Sequence, residues 1–374
     1  MCCAEGAGKP ETDTASTRAK LAAQADLTAV RREFAFRARW LESRLRPALS
    51  DQRDQPVLSL LLNVALVTAP SAVLIYVLNT HLAGLLHLIF NYSLFLQRFL
   101  VALLHVTEHR RLFKPGHTLA NSLSPMLLAP LYGVPSGMYK LHHKVMHHVE
   151  DNRRPHDISS TEPYQRDSLL HFLRYWARHA FAAWLEVPLY ALHTQRYGLL
   201  AECLATESAY FIAAALSWRL RQTATLWVFV IPYLVTSLAL MFGNWSQHMF
   251  LQPDASPSKS GYKNAYNCVA SKDNQLTFND GYHIQHHLNS QLHWSELPQQ
   301  FASTLAEHGR QRALVFEGIG VFEVGMLVFM GRLHVLAKHV LPCDVAMAEL
   351  SMSERVELLQ SRLKPVECSC VQSI

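Results

Sequence analysis

Apolar positions in this chain gather into long runs, separated by polar stretches dense in histidine. Residues 56–78, PVLSLLLNVALVTAPSAVLIYVL, carry no charge, and their number suits a helix crossing about 30 Å of hydrocarbon. Residues 83–104 predict a second spanning helix, in which His87 and Arg98 must face protein or an interface. Residues 199–218, with Glu202 and Glu207 near the start, and the uncharged run 224–243 predict a third and a fourth. Short connections at 79–82 and 219–223 pair these helices into two hairpins. The predicted fold class is therefore all-α: an integral membrane protein with four transmembrane helices in two hairpins and a helical cap carrying the histidines.

Three further apolar pieces, 122–139, 169–192 and 315–341, are interrupted by Pro or studded with Arg, His and Glu. They read as interfacial amphipathic helices lying in the membrane plane. Residues 252–262, rich in Ser, Pro and Lys, predict a loop. The expected organisation is a cytosolic lead-in over 1–55, a membrane domain with its cap over 56–342, and a tail over 343–374.

Each hairpin returns the chain to the side from which it started, so everything outside the hairpins can meet on one face. Lys and Arg crowd the segments before residue 56 and between 105 and 198, whereas the opposite turns hold only Arg219 and Arg221. Positive charge favours the cytosolic side, which places the histidine face there. The start of the chain mixes Glu5, Glu11, Asp13 and Asp26 with basic residues, and no apolar run follows it, so a cleaved secretory signal is not expected.

Composition supports a membrane protein with a substantial aqueous part. Of 374 residues, 50% are hydrophobic and 17% charged, below the roughly 25% charged of an average soluble protein. The net charge of +5 is modest, and the basic residues do not interleave with aromatics as on a nucleic-acid surface, so no nucleic-acid partner is expected. The cysteines at 2, 3, 203, 268, 343, 368 and 370 show no paired spacing and read as reduced thiols. Cys2 and Cys3 are weak candidates for acylation, and Val371, fourth from the end, leaves no prenylation signal.

The candidate chemistry lies in nine histidines in four clusters. His105 and His109 stand four apart in HVTEH, so both imidazoles share one face of a helix. In LHHKVMHH, His143 and His147 repeat that spacing, and His148, about 100° further round an α-helix, is placed to reach a second metal. HIQHH supplies His283, His286 and His287. In NWSQH, Asn244 and His248 are again four apart, with His248 a ninth ligand and Asn244 a holder of metal-bound water. Two triplets and two four-apart pairs of imidazoles exceed what one ion uses, and point to two ions with open positions. Spacing alone does not separate iron from copper, nickel or zinc. Glu108, Glu150, Asp151, Asp157 and Asp280 are candidates to orient the histidine N–H groups. Lys144, Arg153 and Arg154 are weak candidates to meet a substrate headgroup or an electron donor.

At these residues the chain resembles the membrane fatty acid desaturase superfamily, the integral-membrane di-iron oxidases with three histidine boxes. HVTEH looks like the first box, HKVMHH the second and HIQHH the third, and NWSQH is similar to the Asn-x-x-x-His contribution of the acyl-CoA desaturase branch. The resemblance covers about residues 56–300. It implies a di-iron centre, with O2 as co-substrate, that removes hydrogen from an unactivated C–H bond of an acyl lipid or acyl-CoA. It also implies a separate electron donor, cytochrome b5 or ferredoxin with its reductase, since no His-Pro-Gly-Gly haem signature is present. The third box opens with His283 where front-end desaturases carry glutamine. Desaturation is the expected reaction, with a hydroxylase or ketolase of the same superfamily as the alternative and a metal transporter as a more distant one. The expected location is the endoplasmic reticulum membrane, with a plastid membrane as the alternative.

Overall fold

The structure, a computed structural model, describes residues 12–28, 36–252 and 261–366. Cys2, Cys3, Cys368, Cys370 and Val371, with all but the edges of the 252–262 stretch, lie outside the described residues. Helix α1 (Thr12–Thr28) packs Ala19, Ala22 and Ala23 into an apolar cluster with Leu297, Phe301 and Leu305. Helix α2 (Gln55–Leu78) has Pro56 in its first turn, where no intrahelical N–H is needed, and stops where Asn79 turns left-handed at φ 49°. The Thr80 hydroxyl then accepts the N–H of Ala83 and caps α3 (His81–His109). Residues Arg98–Leu104 of α3 are wound as a π-helix directly before the first histidine pair.

A second π-wound segment, α4 (Lys140–His147), carries most of the second box. It is followed by α5 (Leu169–His193), α6 (Tyr197–Leu220) and α7 (Gln222–Gln247). Helices α2, α3, α6 and α7 are each long and apolar enough to cross a membrane. Val77, Leu82, Leu86, Phe211 and Leu216 on them are exposed, as lipid-facing side chains would be. Between α2 and α3 the buried Thr68 donates to Asn91 Oδ1 at 2.6 Å and shares a hydrogen bond with the Tyr132 hydroxyl.

Short elements follow α7. Strand β1 (Asn267–Val269) leads to α8 (His283–Leu288) and α9 (Leu297–Ser303). Strand β2 (Val315–Glu317) then pairs parallel with β1, and α10 (Val321–Phe329) and α11 (Met352–Ser361) come after it. The run 315–341 is thus not the single amphipathic helix that the sequence predicts. Val315 and Phe316 are fully buried in strand pairing, Gly318 turns the chain with φ +73°, and α10 packs on α7 only afterwards. The run 122–139 is also broken, at Gly133, whereas 169–192 is one helix.

Both α1 and the segment around Arg362 are tied to the rest of the fold. Asp26 of α1 is buried and accepts hydrogen bonds from the Ala270 N–H (2.7 Å), Asn274 Nδ2 (3.0 Å) and the Tyr282 hydroxyl (2.6 Å). At the other end the fully buried Arg166 donates Nε to the Met249 carbonyl at 2.8 Å and Nη2 to the Arg362 carbonyl at 3.0 Å. Burial without a paired carboxylate draws its pKa down to about 9.

Candidate metal centre

All nine histidines converge, although four separate stretches of chain supply them. His105 and His109 come from the end of α3, His143, His147 and His148 from α4 and the residue after it, His248 from just past α7, and the other three from α8. His105, His109, His143, His148 and His286 each offer a nitrogen within 4.8 Å of the others, and His147, His248 and His287 form a second such group. His283 joins the second group, its Nε2 lying 3.1 Å from His248 Nε2. His148 and His287 stack at 4.6 Å between ring centres and connect the two groups.

This division differs from the helical expectation for the second box. An α-helix would place His143 and His147 together and turn His148 away. The π winding of α4 instead sets residues five apart on one face, so His143 and His148 face each other at 3.1 Å while His147 points to His248.

Outer partners fix how the rings are protonated. His248 Nδ1 lies 2.7 Å from the Asn264 carbonyl, which only accepts, so the proton sits on Nδ1 and Nε2 presents a lone pair. The same reasoning covers His147 against Asp157 (2.7 Å) and His287 against Asp151 (3.1 Å), and His105 Nδ1 lies 3.0 Å from Asp280 Oδ1. Burial would raise the Asp157 carboxyl, but its contact with the His147 ring and its hydrogen bond from Ser159 hold it below the usual range. Asp151 is likewise lowered against its burial by His287. Burial first, and neighbouring imidazoles second, push His143, His148, His248, His283 and His286 well below the ordinary histidine range.

These protonation states leave a conflict that a cation resolves. The Nε2 atoms of His147 and His248 face each other at 3.1 Å, and both are lone pairs with no proton between them. His287 Nε2 is buried with no partner, as are both ring nitrogens of His109. Neutral imidazoles aimed inward, with anions on their outer nitrogens, form a donor set suited to metal ions.

Of the five carboxylates proposed as outer partners, Asp151, Asp157 and Asp280 take that position. Glu150 instead accepts from the Tyr190 hydroxyl at 2.9 Å, and one oxygen of Glu108 is buried without a hydrogen bond. The sequence reading missed three further positioning groups. The Asn264 carbonyl holds His248, Ser159 bonds Asp157 at 2.7 Å, and Thr161 donates to the His248 carbonyl at 2.7 Å. Asn244 borders the site with its amide given to the Tyr175 hydroxyl at 2.7 Å. Lys144 donates to the Glu108 carbonyl and Arg154 to the Val366 carbonyl, while Arg153 follows the left-handed Asp151 and Asn152.

A cavity of about 500 Å³ opens beside the centre, bounded by Leu96 and Leu100 of α3, Leu240 of α7, and the rings of His105, Tyr139 and His143.

The family model described as fatty acid desaturase matches residues 78–316, which contain all nine histidines. The chain belongs to the fatty acid desaturase family. No curated protein and no solved structure matches it significantly. In this fatty acid desaturase family member two of the four helices long and apolar enough to cross a membrane, α3 and α7, border the cavity beside the histidine cluster.

Proposed function

We propose that the chain is an O2-dependent di-iron desaturase that introduces a double bond into a lipid acyl chain. The carrying observation is the facing, unprotonated Nε2 pair of His147 and His248 within a nine-imidazole cluster. His105, His109, His143, His148 and His286 would hold one iron and His147, His248, His283 and His287 the other, with Asn244 set to hold a bound water. When bound, the iron pair supplies oxidation of an unactivated C–H bond by dioxygen. Overall, two hydrogens leave adjacent methylenes, a separate donor (cytochrome b5 or ferredoxin with its reductase) gives two electrons, two protons are taken up, and O2 becomes two waters.

The chain's own residues place and shield. Asp157, Asp151 and the Asn264 carbonyl orient the rings of His147, His287 and His248, and Asp280 lies beside His105, so the inward nitrogens of these rings are set without reorganisation. The apolar cavity wall sets one carbon pair beside His105 and His143. A transporter reading would place the ligands within the spans near their midpoints, and these lie at or beyond helix ends. The proposed setting is the endoplasmic reticulum membrane with the cap cytosolic, where Lys144, Arg153 and Arg154 are candidates to meet the electron donor.

The test is a lipid profile of a heterologous host with and without the chain. New double bonds support the proposal. An added hydroxyl or keto group would replace it with a hydroxylase or ketolase, and zinc content without electron-dependent oxygen uptake would overturn the oxidase reading.

A further inference from the structure

The cavity beside the histidines has a lopsided charge. The carboxylates that line it are Asp273, Asp280 and Glu323, and among the described residues no Lys or Arg does so. Asp273 reaches the wall from just after β1 and Glu323 from the first turn of α10, so two different parts of the chain bring carboxylates to one space. Burial first, and then the Glu323 charge, raise the Asp273 carboxyl above its usual range, as expected for acids that share a site without a cation. Basic residues next to the boxes are occupied elsewhere: Arg110 and Lys140 pair with Asp51 and Glu202, and Lys144 donates a hydrogen bond to the Glu108 carbonyl.

A second, independent observation comes from His142. It lines the same cavity, is 4% exposed, and its Nε2 has no hydrogen-bond partner. It lies outside both candidate metal groups. An unpartnered buried imidazole nitrogen costs free energy until something in the cavity bonds to it. The wall therefore carries negative charge and an unpartnered imidazole nitrogen among its polar positions, and aliphatic surface at Leu96, Leu100 and Leu240.

We infer that the lipid admitted here carries a hydrogen-bond-donating, non-anionic polar end, an amine or a hydroxyl on a long chain, and not a carboxylate, a phosphate or a coenzyme A thioester. This narrows the substrate of the desaturase reading and rests on it for the meaning of the site. The physical ground is that a buried anion beside like charges loses hydration without gaining a partner, whereas an ammonium or hydroxyl donor gains several. The same wall selects by repulsion as well as by attraction.

The experiment is competition binding on the full chain in lipid nanodiscs. A radiolabelled C18 2-amino-1,3-diol serves as the probe, with C18 alcohol, stearate and stearoyl-CoA as competitors. The expected result is that the amino-diol binds at least ten-fold more tightly than stearate or stearoyl-CoA. If the alcohol competes as well as the amino-diol, the hydroxyl is the recognised donor; if only the amino-diol does, the ammonium is. The double variant Asp273→Asn with Glu323→Gln should narrow the advantage over stearate several-fold. Equal or tighter binding of stearoyl-CoA or stearate by the unaltered chain overturns the inference, whatever the variant does. Binding is read without turnover, so a correct preference with no oxidation sinks the desaturase reading alone, and oxidation of acyl-CoA with no preference for the amino-diol sinks this one alone.

Discussion

At the scale of single residues, the outer partners of the histidines determine what the site can hold. Asp157 is fully buried, accepts a hydrogen bond from the Nδ1–H of His147, and is itself fixed by Ser159. Replacing it with Asn keeps the shape but removes the anion and allows the amide to present an N–H to the ring. Loss of such an outer partner lowers metal affinity about 10–100-fold, so Asp157→Asn should retain less iron on dialysis against a chelator, measured as metal per chain. His286→Ala and His147→Ala go further, since each deletes an inward nitrogen from one of the two groups. Both should abolish lipid oxidation while the chain still fractionates with membranes; turnover by either variant would remove the ligand assignment. The nine histidines were legible in the sequence because imidazole spacing survives as a pattern. Which of them share an ion was not legible, because the count per turn changes where α4 winds as a π-helix. The Asn264 carbonyl gave no signal at all, since any residue type offers that atom.

At the scale of elements, the spans were readable and the joints between them were not. The runs 56–78, 83–104, 199–218 and 224–243 fall inside α2, α3, α6 and α7, because charge-free length is a one-dimensional property. The β1–β2 pair escaped notice, since three-residue strands are too short to show an alternating pattern. Gly133 is a joint of the second kind. It has φ +73°, and a Cβ there would fall inside the backbone of Pro232 and Tyr233 in α7. Gly133→Ala should therefore destabilise the folded chain by more than the approximately 1–3 kcal/mol of left-handed strain alone, read as a lower melting temperature in detergent. The attachment of α1 allows a similar test. Asp26 accepts three hydrogen bonds from the segment that leads into the third box, one of them from Tyr282 beside His283. Asp26→Ala leaves those donors unpaired, at roughly 1–3 kcal/mol for the buried group. It should make α1 cleavable by protease at concentrations that spare it in the unaltered chain.

For the whole molecule, concentrating buried neutral imidazoles ties stability to pH. His143, His148, His248, His283 and His286 are held well below the ordinary histidine range by burial and by one another. In the unfolded chain the same groups titrate near 6.5. Below that pH the unfolded state binds protons that the folded state refuses. Stability is therefore fully present above about pH 6.5 and falls as the pH drops, by about 1.4 kcal/mol per pH unit for each such histidine. The metal-free chain should melt at progressively lower temperature between pH 7.5 and pH 5.5, and a flat profile would show that the rings are charged or exposed in the fold.

The ligands' spread over four stretches of chain also orders events in time. Translation delivers His105 and His109 first, and the HIQHH segment leaves the ribosome long after α2 and α3 have been made. Neither group of imidazoles is complete until that last segment docks, so metal loading follows synthesis. A cell short of the metal would then accumulate finished but empty chains, and the supply of that metal, more than the rate of expression, would set how much working protein it holds.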